Sequence, residues 1–198
     1  MAVSKTKAKL VDVARQLFAK MGVENTTMND IAIASKKGRR TLYTYFKSKE
    51  DIYMAVVDSE LEMLSETMSR VLKRDISPEE KILQLIHTRL DAVKEVVYRN
   101  GTLRANFFRD IWRVEKVRKK FDAKEIQLLH QVLEEGQEAG LFHMDDVVMT
   151  SEIMHYCLKG IELPYIRGRI GANLDMETRK EYVANIVFGA LRKTKINK

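Results

Sequence analysis

Leu10, Val11, Ala14, Leu17 and Phe18 recur at three- and four-residue spacing near the start of the chain. This spacing gathers them on one face of an amphipathic helix from about Thr6 to Met21. Gly22 stands where a left-handed residue would close that helix. Thr27, with Asp30 three residues on, forms a shortened capping box for a second, short helix carrying Ile31, Ala32 and Ser35. Lys36-Lys37-Gly38 reads as a turn into a third short helix, Arg39 to Phe46, with Leu42 and Phe46 facing inward together. Ser48-Lys49-Glu50-Asp51 then opens a long fourth helix that runs to about Arg74.

Further along, Ser77-Pro78-Glu79-Glu80 places proline and two acids in a first helical turn. That helix runs to Arg99, where Asn100-Gly101 stops it. A shorter segment is expected from about Thr102 to Trp112, and another helix from Asp122 to Ala139, closed at Gly140. Asp145 or Asp146 caps a helix carrying Val147, Val148, Ile153, Met154, Cys157, Leu158 and Ile161, which Pro164 should kink or end. After a loop, Asp175 caps a last helix through Arg192 with Tyr182, Val183, Ile186, Val187 and Leu191. No strand alternation interrupts this series. The expected fold is all-α: a three-helix N-terminal domain, residues 1–48, and a larger helical-bundle domain, residues 49–198.

Composition supports a packed helical protein, with 45% hydrophobic and 32% charged residues but only 9 Gly and 2 Pro in 198. The net charge of +7 is unevenly spread. Residues 1–50 hold 11 Lys/Arg and 4 acids, whereas the rest of the chain holds 24 of each. A positive field concentrated at one end favours a polyanion as partner, a nucleic acid or an acidic membrane surface. Cys157 is the only cysteine, so no intrachain disulfide can form. Without an apolar targeting region or a membrane-length apolar run, a cytoplasmic protein with no membrane partner is expected.

The segment Thr27 to Lys49 resembles the DNA-binding signature of the tetracycline-repressor (TetR) family. The matching residues are Thr27, Ile31-Ala32, Thr41-Leu42-Tyr43-Thr44-Tyr45-Phe46, Ser48-Lys49-Glu50 and Ile52, with Ala14, Leu17, Phe18 and Gly22 fitting the family's first helix. The likeness covers about residues 8–55. It implies a helix-turn-helix, a homodimer, a double-stranded DNA operator and regulation of transcription, most simply repression. Where the family usually has Ala-Gly-Val-Ser, this chain has Ser35-Lys36-Lys37-Gly38. The usual valine is replaced by Lys37 and the usual capping serine by Gly38.

The physics of such a motif assigns roles. With Leu42 and Phe46 turned inward, Arg39, Arg40, Thr41, Tyr43 and Thr44 lie on or near the free side of the helix that enters the major groove. Arg39 and Arg40, near its N-terminal end, are best placed for bidentate bonds to guanine. Thr27 and Lys49 at helix starts, Asn29, the outward lysines Lys36 and Lys37, and the hydroxyls of Tyr43 and Tyr45 are candidate contacts that hold the DNA backbone.

For the C-terminal domain the resemblance implies a small-molecule effector site and dimerisation through the last two helices. Candidate pocket residues are Phe107, Phe108, Trp112, His130, His155 and Tyr156, which suggest a hydrophobic or amphipathic effector. Candidate interface residues are Met154, Leu158, Ile161, Val183, Ile186, Val187 and Leu191. No catalytic, metal or cofactor site is expected. Glu152-Ile153-Met154-His155 is a single Glu-x-x-His where a di-iron bundle needs two, and neither a phosphate loop nor a nucleophile elbow is present. The basic run Arg113 to Lys120 reads as a solvated surface or an exposed connection. The rival reading is a basic interaction or membrane-surface module without sequence-specific DNA binding, which would have no use for the Thr41 to Glu50 signature.

Overall fold

The computed structural model describes residues 5–99, 111–166, 169–171 and 173–191. All the regular elements among them are helices: α1 (Lys5–Met21), α2 (Met28–Ala34), α3 (Arg39–Tyr45), α4 (Lys49–Leu72), α5 (Pro78–Arg99), α6 (Ile111–Glu138), α7 (Val147–Ile166) and α8 (Met176–Leu191). The described residues of Met1–Glu62 and Glu95–Lys119 form one compact unit, and those of Met63–Lys94 and Lys120–Lys198 the other.

The first unit is built around Leu10, Ala14, Phe18, Ile31, Leu42 and Phe46, all buried. Ile52, Tyr53, Val56 and Val57 from the first turns of α4 complete this core, which therefore runs past residue 48. Phe18 meets Tyr53 edge-on with ring centroids 6.2 Å apart. Gly22 closes α1 at φ 83°, its N–H donating to the Phe18 carbonyl. The Thr26 hydroxyl donates to the Gly22 carbonyl at 2.7 Å and pins the turn into α2.

The second unit buries Ile82, Leu85, Ile86 and Leu90 of α5, Leu128, Leu129, Val132 and Leu133 of α6, Met154 and Leu158 of α7, and Val183 and Leu191 of α8. Asp146 caps α7 by accepting from the Met149 N–H, and Asp175 caps α8 by accepting from the Thr178 N–H. Pro164 sits within the last turn of α7. The helix runs only two residues past it, and because proline has no N–H the Gly160 carbonyl loses its intrahelical bond there.

One element differs from its sequence-based expectation. The helix expected from Asp122 begins at Ile111, so the basic run is helical rather than a connection. Lys, Arg and Glu are good helix formers, and no glycine or proline interrupts residues 111–135. The segment expected from Thr102 falls mainly outside the described residues.

Candidate nucleic-acid interface

The helix-turn-helix is assembled by local hydrogen bonds. Thr27 caps α2: its side-chain oxygen accepts from the Asp30 N–H at 3.1 Å, while the Asp30 carboxylate accepts from both the backbone N–H and the hydroxyl of Thr27. These bonds hold the Asp30 carboxyl below the usual carboxylate range, the side-chain bond contributing most. At the other end of α2, the Lys36 N–H donates to the Ile33 carbonyl and the Lys37 N–H to the Ala32 carbonyl. This pair of bonds is a Schellman turn. Its geometry puts Lys36 at φ 54°, the left-handed region, where the family usually has glycine. Lys37, in the valine position, is half-buried, whereas the Lys36 side chain is exposed.

Gly38 is the N-cap of α3 and offers no side-chain bond; its carbonyl accepts from the Leu42 N–H. Leu42 and Phe46 hold α3 to the core. Arg39, Arg40, Tyr43 and Thr44 are exposed, Thr41 and Tyr45 half-buried, and Tyr45 packs against the core. Neither Arg39 nor Arg40 has an acidic partner among the described residues, so both guanidinium groups are available to a ligand. The Thr44 hydroxyl donates to the Arg40 carbonyl at 2.9 Å. Asn29 and Thr27 are exposed at the start of α2.

Lys49 departs from the role expected of its side chain. Its ammonium reaches back to the α1–α2 loop and donates to the carbonyls of Val23 at 2.8 Å and Glu24 at 3.1 Å. It ties the start of α4 to that loop, so less of its charge is directed outward to a phosphate.

In the second unit, His155 belongs to a buried ionic cluster that the sequence patterns did not assemble. His155 Nδ1 lies 2.5 Å from Glu125 Oε2, and the same carboxylate oxygen pairs with Arg89. Arg89 also lies 3.6 Å from Glu162, and its guanidinium stands 5.8 Å from the Phe121 ring centroid. His155 Nε2 is 3.8 Å from Asp122, which bonds Lys159 at 2.8 Å. Arg89, Glu125 and His155 are at most 1% exposed. Arg89 Nε, Glu125 Oε1 and His155 Nε2 have no hydrogen-bond partner. A signal was present: Arg89 falls in the Ile82, Leu85, Ile86, Leu90 stripe, and Glu125 between Phe121 and Leu128.

Of the other pocket candidates, His130 is half-buried beside Glu134 on its own helix, and Tyr156 is exposed with its ring edge-on to His155 at 4.9 Å. Phe107, Phe108 and the Trp112 side chain lie outside the described residues. The interface candidates divide. Met154, Leu158, Val183 and Leu191 are buried within the chain's own core and present nothing to a partner. Ile161 and Val187 are half-buried, and Ile186 is 74% exposed. Exposed apolar residues also occur at Met149, Ile153, Tyr156 and Tyr182. Helical spacing could not choose a face, because apolar residues occur on both the buried and the exposed sides of α7 and α8. Among the described residues no group of side chains is arranged to hold a metal ion, and no helix is long and apolar enough to cross a membrane.

Among the described residues the arrangement is all-helical and presents two arginines without acidic partners on a core-anchored helix-turn-helix, a surface suited to a polyanion. Residues 10–56 match the family described as bacterial regulatory proteins, tetR family, and the chain as a whole resembles its members. The chain is 25% identical over 158 residues to the helix-turn-helix transcriptional regulator QacR of Staphylococcus aureus, covering 78% of this chain and 83% of that one. It is 26% identical over 180 residues to the probable acrEF/envCD operon repressor of Escherichia coli, covering 86% and 80%. The crystal structure of a transcriptional regulator from Cytophaga hutchinsonii superposes with a TM-score of 0.76 at 20% identity, over 93% of this chain and 97% of that one, and shares the fold. These relatives are regulators, not enzymes.

Proposed function

We propose that this protein is a ligand-responsive repressor that binds a palindromic operator as a homodimer. The carrying observation is the exposure of Arg39 and Arg40, without acidic partners, on a helix anchored by Leu42 and Phe46. Such a helix fits the major groove, where arginine bonds guanine O6 and N7. One short helix reads too few base pairs for useful specificity, so two copies read two half-sites about one helical turn, roughly 34–36 Å, apart. Selection of bound sequences from random duplex DNA tests this directly. The expected product is an inverted repeat with guanines opposite α3; recovery without any enriched sequence would reject operator recognition and favour a non-specific basic module.

The effector is received in the second unit, near Arg89, Glu125 and His155. Buried polar atoms left without partners cost about 1–3 kcal/mol each, which a bound polar group would recover. The reading is therefore of an amphipathic effector, with a polar head as well as an apolar body. An effector acts only by binding one state of the dimer better than the other, and a shift from mostly bound to mostly free repressor requires about 5.5 kcal/mol of preference. A thermal-shift screen of amphipathic compounds, repeated on Glu125→Gln, identifies it: hits should stabilise the native protein and lose much of that effect in the variant.

A further inference from the structure

The amino end of α1 carries Lys5, Lys7 and Lys9, all exposed or nearly so, with no acid in its first turn. Cations are disfavoured at the positive end of a helix dipole. The first acid along the helix, Asp12, is already bonded to Arg15 and Gln16. None of the three lysines has an acidic partner among the described residues. Their placement runs against helix stability, and one of them is held in a defined position. The Lys7 ammonium stands 5.8 Å from the ring centroid of Phe46, the residue that closes α3. The next residue, Lys47, is exposed, and its backbone N–H is bonded to Asp51. Phe46 is itself buried in the core of the unit. One lysine therefore approaches Phe46 in space and another follows it in the chain, at the carboxyl end of the recognition helix, opposite the end that carries Arg39 and Arg40.

We propose that Lys7 and Lys47 form a phosphate-holding contact at the carboxyl end of α3, gripping the DNA backbone on the far side of the groove from the base-reading arginines. The proposal rests on the DNA-binding reading above and extends it to two residues not named among its contacts, Lys47 just after α3 and Lys7 far before it. The partner is the duplex phosphate backbone, which matches two cations without requiring any particular base. In this role the two lysines fix the orientation of α3 in the groove, while Arg39 and Arg40 choose the sequence. Lys7 lies more than thirty residues from α3 in the chain, and its approach to Phe46 makes it part of the same surface.

The test is the salt dependence of operator binding by the full chain, measured for wild type, Lys7→Gln, Lys47→Gln, the double variant and Lys7→Arg. Removing one phosphate contact makes the slope of log K against log salt shallower by about 0.9. In a dimer each single glutamine variant removes the contact twice, so its slope should be shallower by about 1.8, and that of the double variant by about 3.6. Base preference should be unchanged, and Lys7→Arg should keep the wild-type slope. Thermal denaturation in the absence of DNA separates folding from contact. Glutamine variants that bind with the wild-type slope overturn the proposal. So does a slope change matched by a shift in base preference, because that would place these side chains on base edges. A wild type with no salt-dependent duplex binding would reject the underlying DNA reading instead.

Discussion

A lysine in the left-handed region closes α2 at Lys36, with φ 54°. Glycine takes that conformation without a steric penalty, so Lys36→Gly should raise stability by about 0.5–1 kcal/mol in urea denaturation. It also removes an exposed charge, so operator affinity should fall while stability rises. An unchanged or lowered unfolding midpoint would show that the Lys36 side chain stabilises the turn more than its backbone strains it. Lys49 works in the opposite sense. With its ammonium bonded to the Val23 and Glu24 carbonyls, Lys49→Gln should cost about 1 kcal/mol of stability. It should weaken binding to all sequences through disturbance of the loop. Full stability together with weakened binding would return Lys49 to a plain phosphate contact. The caps at Thr27, Asp146 and Asp175 were legible in the sequence because each is a bond across three residues. The Lys49 contact was not, since its partners lie 25 and 26 residues away and no local pattern announces them.

Elements in this chain are defined by their ends more than by their propensities. The Thr27–Asp30 box starts α2, and its acid is stabilised in the charged form by those bonds. A carboxyl depressed in the folded state contributes stability that is present above its unfolded pKa and is lost as pH falls through the folded value. His87 of α5 adds a second acid-sensitive point. Burial, followed by the nearby Lys180 charge, pushes its pKa down, and its Nε2 has no hydrogen-bond partner. Because its neutral form is the one favoured by folding, stability is complete above the ordinary histidine pKa of 6.5 and declines as pH falls below it. Unfolding followed from about pH 8 to about pH 5 should therefore show a loss that His87→Gln largely removes; an unchanged pH profile would mean His87 charges without cost. The α5–α6–α7 cluster predicts a different pattern. Arg89→Met leaves Glu125 buried without its cation and should destabilise by about 3–5 kcal/mol. The double change Arg89→Met with Glu125→Leu should recover much of that loss, because an apolar pair has no charge to desolvate. If the double variant is no better than the single, the cluster is held by more than this pair. Most helices and their caps were legible, the early start of α6 at Ile111 being the exception, yet the cluster was not. The bonded pairs Arg89–Glu125, Glu125–His155 and Asp122–Lys159 are separated by 30 to 37 residues, and only the interruption of two apolar stripes hinted at them.

Across the whole molecule, dimerisation decides whether a helix-turn-helix becomes a specific regulator. The final two helices were legible as the apolar pair, but the side that remains for a partner emerges only after the chain's own core has taken Met154, Leu158, Val183 and Leu191. One exposed row on α7 is Met149, Ile153, Tyr156 and Gly160, spaced at alternating four and three residues, with Val148 exposed beside it; on α8 the row is Tyr182, Ile186 and Gly189. That spacing is the seam of a helical bundle, and a Cβ added at either glycine would meet nothing within 4 Å. Paired with the same helices of a second copy, these rows would form an isologous interface, each residue contacting its partner's equivalent surface. Obligate homodimers bury about 2,000 Å² or more in total. Because Ile186 is 74% exposed in the single chain, Ile186→Glu should leave the core of the protomer intact. Across a two-fold interface the two glutamates would be desolvated or repel one another. Sedimentation equilibrium should then find wild type dimeric and Ile186→Glu monomeric at micromolar concentration. The variant should retain its helical circular dichroism but lose operator binding, although Arg39 and Arg40 are untouched. Leu158→Glu, at a position buried within the chain, should unfold it instead, which separates loss of the interface from loss of the fold. A variant that stays dimeric and binds normally would move the interface off this face of α8.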